Sequence, residues 1–211
     1  VTKIARFPFD KFATAQNTLG TQMKATGEVM SVGRTLEESL LKAVRSLETG
    51  VCHIYHKKFD DWDTARLLEY IRTATDDRLY AIAQLIRLGV DLGMVYNATK
   101  IDMFFLEKFK HIVEFEEVIR NNPNNPETVR DAKLLGISDK YIAQVWGCTE
   151  HDIYRMREAN NIFPVYKMID TCASEFSSYV PYFYSTYEAE NESIVSDRKK
   201  IIVLGSGPIR I

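Results

Sequence analysis

The chain has 211 residues, 45% of them hydrophobic, which is enough for one full domain or two small ones with a real core. Its formal net charge of -2 leaves no basic excess to attract nucleic acid or an anionic membrane, and no apolar run approaches the roughly 18 residues of a spanning helix. The three cysteines are an odd number without framework spacing, which predicts reduced thiols in a cytoplasmic protein.

The N-terminal segment, residues 1–12, carries apolar side chains among charges and has no signal-peptide pattern. We interpret it as the end of another domain. The first long helix is predicted from Thr35-Leu36-Glu37-Glu38, which has the spacing of a capping box, and Gly50 is predicted to end it.

Two further helices are predicted before Gly89. Asp63 is placed to cap the first of them. Either Asp76 or Asp77 is placed to cap the second.

The chain then begins to repeat itself. Leu88-Gly89-Val90-Asp91 returns as Leu135-Gly136-Ile137-Ser138, each with a Gly helix stop and a new N-cap. We also match Thr99-Lys100-Ile101-Asp102 with Thr149-Glu150-His151-Asp152. Two similar helical subdomains related by duplication would explain the pattern. The alternative is that Leu-Gly-apolar-cap is a common sequence where one helix turns into the next, and that it occurs here twice without duplication.

The most apolar helix is predicted over about 101–120, and we expect it to be central, with its aromatic side chains in the core. The stretch 121–126 holds four asparagines and two prolines, which favour turns, so it marks the predicted boundary between subdomains. Pro126 suits the first turn of the next helix.

After about residue 162 the sequence becomes Tyr-rich and irregular, and 188–200 is interpreted as a linker. The basic, β-branched run 198–204 predicts a strand that enters the turn Gly205-Ser206-Gly207-Pro208. We interpret this strand as the start of an α/β domain. The turn is a weak phosphate motif, because it lacks the third Gly of a dinucleotide fingerprint and the Lys of a P-loop.

Residues 138–157 have the pattern of a DNA-binding helix-turn-helix, with Gly147 at the turn. Its second helix would present the carboxylates of Glu150 and Asp152 to DNA, and only Arg155 and Arg157 oppose them. A stand-alone helical regulator that binds DNA is therefore kept only as the alternative function.

Cys52, His53 and His56 place three metal-binding side chains within five residues, but a closed zinc site needs a fourth ligand. The alternative is a buried cysteine beside surface histidines. Cys172 with the distant His151 could form a nucleophile pair, but no oxyanion site lies nearby, so a buried structural thiol is favoured. We therefore predict no catalytic, cofactor-binding or metal-binding residue in this chain.

Four segments together resemble the large chain of carbamoyl phosphate synthetase, in the order and at the spacing of that family. They are residues 21–34 (TQMKATGEVMSVGR), 164–176 (PVYKMIDTCASEF), 184–188 (YSTYE) and 198–211 (RKKIIVLGSGPIRI).

The resemblance implies an all-α fold, a multihelical connector of two similar helical subdomains with short extended segments at both ends. Residues 1–35 would be the C-terminal segment of the first ATP-grasp half, which makes carboxyphosphate and then carbamate. Residues 36–192 would be the oligomerisation and connection domain, with its subdomain boundary near 121–126. Residues 193–211 would be a linker and the first strand of the second half, which phosphorylates carbamate.

The resemblance also implies a noncatalytic scaffold role. The parent enzyme would use bicarbonate, glutamine-derived ammonia and two ATP, with Mg or Mn and K, for arginine or pyrimidine synthesis. The residues that bind ATP, metal and bicarbonate would lie outside this segment. The implied partners are the rest of the large chain, a small glutamine amidotransferase subunit and a second copy of the chain, but no nucleic acid and no membrane. Where the family commonly has Glu near an internal carbamate passage, this chain has Asp10.

Overall fold

The computed structural model describes residues 1–9, 11–12, 14–177, 181–205 and 209–210. Helices dominate this part of the chain, which confirms the predicted multihelical fold. The helices are α1 Leu36–Ser46, α2 Thr64–Tyr70, α3 Arg78–Arg87, α4 Leu92–Thr99, α5 Met103–Asn121, α6 Pro126–Leu134, α7 Asp139–Trp146 and α8 Glu150–Ala159. A short 3-10 turn, Lys57–Phe59, precedes α2.

Two small antiparallel sheets flank the helices. In the first, β1 (Thr2–Arg6) pairs along the whole of β2 (Gly27–Ser31). The second joins β3 (Val165–Met168) to β4 (Phe183–Thr186), and the sequence analysis did not predict this pairing. A two-residue strand, β5 (Ile209–Arg210), lies beside the start of β2.

Most of the predicted helix starts are confirmed. Thr35 and Asp63 cap α1 and α2 with their side chains, and Pro126 occupies the first turn of α6. Asp77 lies at the N-cap of α3, but its carboxylate makes no bond to that helix and instead accepts from Tyr70 Oη at 2.5 Å.

The end of the first helix differs from the prediction. Helix α1 stops at Ser46, and Glu48 takes the left-handed conformation (φ 54°) that was expected of a glycine. Gly50 also has a positive φ, of 81°, but it lies in the following loop and does not end the helix.

The repeated sequence forms two corners of the same geometry. After α3, the amide of Val90 donates to Leu85 O and that of Gly89 to Ile86 O. After α6, Ile137 and Gly136 donate to Ala132 and Lys133 in the same pattern. This is the Schellman motif, which requires a left-handed residue and so favours glycine.

The second part of the predicted repeat was matched in the wrong register. Thr99 is the last residue of α4, whereas Thr149 is the N-cap of α8. The residue equivalent to Thr149 is Asp102, the N-cap of α5. The structural repeat is therefore α3–α4–α5 followed by α6–α7–α8.

One hydrophobic cluster runs from Leu40 to Ile162 and crosses the predicted boundary at 121–126. Helix α5 contributes fully buried side chains to it, among them Leu106, Ile112 and Ile119. The expectation that this Phe-rich helix is a core helix is confirmed only in part, because Phe104 and Phe105 at its start are 54% and 43% exposed.

The predicted strand at 198–204 was also wrong. Its apolar side chains, Ile201 to Leu204, are between 84% and 91% exposed, and no strand is assigned there. A β-branched run needs a neighbouring strand to satisfy its backbone, and none of the residues that the structure describes pairs with this one. The stretch before it is only partly a free linker, since Glu188, Glu190 and Glu192 are ion-paired with Lys167.

The two equivalent corners allow a matched test of how the second helical unit docks. A Cβ atom on Gly136 (φ 84°) would lie 2.7 Å from the Cα atom of Glu38 in α1, whereas one on Gly89 (φ 76°) would meet nothing within 4 Å. We expect Gly89→Ala to cost about 1–2 kcal/mol of unfolding free energy through backbone strain alone. We expect Gly136→Ala to cost about 1–3 kcal/mol more through the clash. Urea unfolding of both variants measures the difference, and equal losses would contradict the close docking.

Candidate functional site

Helix α1 is buried on most of its surface, including polar positions that a surface helix would expose to water. Five of its polar side chains or peptide groups bond to other parts of the fold, and we call this set the α1 hub. It consists of Glu37, Glu38, Ser39, Lys42 and Arg45.

Glu37 joins the hub to α5. Its Oε1 atom lies 2.8 Å from His111 Nδ1 and 3.3 Å from Lys108 Nζ. Burial raises the pKa of Glu37, but the hydrogen bond with His111, the backbone of Glu37 itself and Lys108 outweigh burial and leave the pKa below its ordinary value. The carboxylate is therefore charged at neutral pH.

Glu38 and Ser39 join the hub to the N-terminal sheet. Glu38 Oε2 accepts from the amide of Arg34 at 2.7 Å. Ser39 Oγ lies 2.7 Å from Thr2 Oγ1 in β1, and Ser31 Oγ in β2 donates to the carbonyl of Ser39 at 2.5 Å. The strands before α1 are thus bonded to its first two turns.

The other two members of the hub reach the later parts of the chain. Arg45 Nη1 donates to the carbonyl of Gly136 at 2.5 Å, at the corner between α6 and α7. Lys42 Nζ donates to the carbonyls of Val32, before α1, and Ser185, in β4. One helix therefore bonds to both flanks and to both helical units.

A buried ionic cluster ties the two helical units together. Glu116 in α5 accepts from Arg87 Nε and Nη2 at 2.8 and 2.7 Å and lies 3.0 Å from His53 Nε2. The His53 ring stacks on Tyr141 of α7, with centroids 3.8 Å apart. Burial raises the pKa of Glu116, but the hydrogen bonds from Arg87 and His53 prevail and bring the pKa to about 2.

His53 is held as the neutral imidazole. Burial lowers its pKa more than the contact with Glu116 raises it, and the nearby charges of Arg87 and Arg45 lower it further. Its Nδ1 atom is buried without a hydrogen-bond partner. The hydrogen on Nε2 is therefore the one that bonds Glu116.

A second buried cluster lies within the second helical unit. Asp139 at the start of α7 accepts from Lys133 Nζ at 2.9 Å and from Arg157 Nε at 2.9 Å. Both cations also lie over the ring of Tyr187, which follows β4, at 5.2 and 5.9 Å from its centroid. Burial lowers the pKa of Lys133 more than Asp139 raises it. The cluster anchors the C-terminal flank as well as three helices.

The three side chains considered for a metal do not converge. His53 is 1% exposed and bonded to Glu116, His56 accepts from the amide of Lys58 at 3.1 Å, and Cys52 Sγ contacts Gln144 Oε1 at 3.8 Å. The alternative of a buried cysteine beside surface histidines was also wrong, because His53 is buried and Cys52 is half-buried. Within the described residues, no group of three or more His, Cys, Asp or Glu side chains could hold a metal ion.

The nucleophile pair is not assembled either. His151 Nε2 accepts from Arg155 Nε at 2.9 Å on α8, and the amide of Cys172 donates to Asp170 in a distant loop. Cys172 is half-buried, so the expectation of a buried thiol was wrong. All three cysteines are free, as predicted.

The segment 138–157 does form two helices around Gly147, which has a φ of 70°. Arg157, however, is buried against Asp139 at 2.7 Å and is not presented to solvent. Of the two cations that favoured the DNA-binding alternative, Arg157 is therefore not accessible to DNA. Asp10 and Ser206, Gly207 and Pro208 of the Gly-rich turn lie outside the described residues.

Comparison with known protein families identifies this arrangement. Residues 28–161 match the family model described as carbamoyl-phosphate synthetase large chain, oligomerisation domain. The chain belongs to this family. The match begins in β2 and ends just after α8, so it contains the whole α1 hub and both buried ionic clusters, while β3 and β4 follow it. Among the helices of the described residues, none has the length and apolar character needed to cross a membrane.

Sequence reasoning missed the buried clusters, although one signal was present. Glu116 occupies the position in α5 that continues the apolar stripe through Phe109, Ile112 and Val113. A charged residue in a core stripe predicts a buried partner. Nothing local identified Arg87 and His53 as those partners.

The neutral His53 predicts a pH dependence of stability. An unfolded histidine gains a proton below a pH of about 6.5, and the folded His53 resists it, so the unfolding free energy falls as pH drops below that value, by at most about 1.4 kcal/mol per pH unit. His53→Gln keeps a donor toward Glu116 and removes the titration, so its stability should change less between pH 7.5 and 5.5. The measurement is urea unfolding at each pH.

His151→Gln is the matched control, because His151 is exposed on α8. It should keep the wild-type pH dependence. Measurements above pH 5 exclude any contribution from protonation of Glu116. The stabilising charge of Glu116 is lost only as pH falls from about 4.3 toward its folded pKa of about 2. A His53→Gln variant with the wild-type slope would contradict the neutral assignment.

Proposed function

We propose that this chain is a noncatalytic scaffold and self-association segment of a glutamine-dependent carbamoyl phosphate synthetase large chain. The observation that carries the proposal is the α1 hub, since a single buried helix bonds to the strands before it, to both helical units and to the strands after it. The family match supplies the enzyme class. An element that joins two flanks in this way suits a connector between two active halves.

The parent enzyme would make carbamoyl phosphate from bicarbonate, glutamine-derived ammonia and two ATP, for arginine or pyrimidine synthesis in the cytoplasm. ATP, Mg or Mn, and K would bind to its ATP-grasp halves. A small glutamine amidotransferase subunit would supply the ammonia. Carboxyphosphate and carbamate are unstable in water, so a fixed relation between the halves would help the intermediate to be used before it decomposes.

The charge arrangement of the described residues supports the noncatalytic role that we propose. ATP-dependent transfer requires phosphate-binding donors and metal-binding carboxylates that converge on one cleft. Here the buried carboxylates Glu37, Glu116 and Asp139 are each engaged by a Lys or Arg side chain of the fold itself. They serve to hold helices together.

We therefore expect the 211-residue chain to show no saturable binding of MgATP in isothermal titration calorimetry and no ATP hydrolysis. The whole large chain, titrated in the same way, is the control and should bind. Saturable binding by the 211-residue chain in the micromolar range would overturn its noncatalytic role.

Self-association is proposed to use the start of α5. Phe104 and Phe105 are exposed there and stack edge to face, with ring centroids 5.3 Å apart. Exposed paired aromatics of this kind favour a protein contact. Light scattering after size-exclusion chromatography, over about a hundredfold concentration range, should show a dimer or larger species at the upper end.

The double variant Phe104→Ser/Phe105→Ser should remain monomeric over that range. Leu134→Ser is the control, since Leu134 is similarly exposed, at 46%, on α6. A double variant that associates as the wild type does would exclude the α5 contact. A wild type that is monomeric throughout would leave the chain as an internal spacer.

A further inference from the structure

Lys42 is the point at which the two flanks of the helical body meet. Its Nζ atom donates to Val32 O at 2.9 Å and also to Ser185 O, residues that are far apart in the chain. Val32 directly follows β2, and Ser185 is in β4. The same ammonium lies 2.7 Å from Glu38 Oε1, and its side chain is only 20% exposed.

A second cation makes a similar connection from the segment that precedes α1. Arg34, which also follows β2, forms an ion pair with Glu188 at 2.5 Å. Hydrogen bonding to Tyr184 and the charge of Glu188 raise the pKa of Arg34. The ring of Tyr184 also lies under Lys42, with its centroid 5.7 Å from Nζ. We call Arg34, Lys42 and their partners in 184–188 the flank clasp.

The clasp acts on β4 beside a second anchor, Tyr187, which directly follows the strand and packs against the core. Strands β3 and β4 form a two-stranded sheet, which is marginal in water without packing against another element. Of the four residues of β4, only Thr186 is fully buried. The attachment of β4 itself to the helical body includes the polar contact of Ser185 with Lys42, whose ammonium also bonds to Val32 in the N-terminal flank.

We propose that Lys42, through the flank clasp, is a positioning residue that fixes the two catalytic halves of the parent enzyme relative to each other. The inference rests on the proposed function, because it takes 1–35 and 193–211 as the segments that lead to those halves. Lys42 touches no reacting atom. Its role is to make the position of the C-terminal flank depend on that of the N-terminal flank through one half-buried ammonium.

The first measurement is made on the 211-residue chain and does not depend on its function. Lys42→Met keeps the apolar stem and removes the ammonium. Loss of these charge-assisted hydrogen bonds should let β4 open more often, so we expect amide exchange in 183–188 to rise at least about tenfold. The control is Lys110→Met, because Lys110 is exposed on α5 and pairs only with Glu114 in the same helix among the ion pairs of the described residues. Unchanged exchange in Lys42→Met would overturn the clasp.

The second measurement uses the whole large chain with its amidotransferase subunit. Bicarbonate-dependent ATP hydrolysis reports the first half, and ATP formation from carbamoyl phosphate and ADP reports the second. We expect Lys42→Met to keep both rates within about twofold but to lower the carbamoyl phosphate formed per ATP consumed by about tenfold, as the loss of about 1.4 kcal/mol of alignment would give. Lys42→Arg, which retains a cation with several donors, should restore the yield.

If the role of Lys42 were purely structural, Lys42→Met would lower the rates of both half-reactions together with the yield of carbamoyl phosphate per ATP. That result would overturn the proposal. Faster exchange with an unchanged yield would also overturn it, because the clasp would then not align the halves. A wild-type large chain that lacks the half-reactions would instead contradict the proposed function. The exchange measurement separates that failure from a failure of the clasp.

Discussion

The structure depends on the need to satisfy the buried polar groups of α1. A carboxylate or ammonium removed from water is costly unless it is paired and hydrogen-bonded, and α1 places Glu37, Glu38 and Lys42 largely out of solvent. Their partners belong to different parts of the chain, so each part has one position in which these contacts form, although Glu37 Oε2 and Glu38 Oε1 stay without a hydrogen-bond partner among the described residues. Apolar packing alone would tolerate small shifts, whereas these contacts require particular distances and directions.

The two helical units share their corners but not their relation to α1. The corner at Gly136 touches the backbone of Glu38 and receives a hydrogen bond from Arg45, while the corner at Gly89 has open space where a Cβ atom would be. A repeated sequence thus produced one docked corner and one free corner. The free one leaves α4 and the start of α5 at the surface, where Phe104 and Phe105 are exposed.

The sequence predicted those features that depend on neighbours in the chain. Thr35, Asp63 and Pro126 marked helix starts because caps and first turns are set by a few adjacent residues. The pairing of β3 with β4 and the burial of His53 were missed, since both depend on partners far away in sequence: Met168 pairs with Phe183, and His53 meets Glu116. The repeat was recognised but misaligned at Thr99, because Thr and Asp both serve as N-caps and the pattern offered Thr99 and Asp102 three residues apart. The α1 hub was not predicted either, because its partners are also far away in sequence. From its neighbours alone, Glu38 is interpreted only as part of a capping box.

The position of α1 near the beginning of the chain has a consequence for biosynthesis. Its partners emerge from the ribosome in order, first the carbonyl of Val32, then His111, then Gly136 and last Ser185, which is 143 residues beyond Lys42. At usual translation rates this interval lasts roughly 7–30 s. During that time the helix that organises the fold is made but incompletely paired, so in the nascent chain Glu38 and Lys42 can bond only to each other, to the preceding segment or to water until the last strands are synthesised. A translation pause at any codon between those of Lys42 and Ser185 would lengthen this state by its own duration.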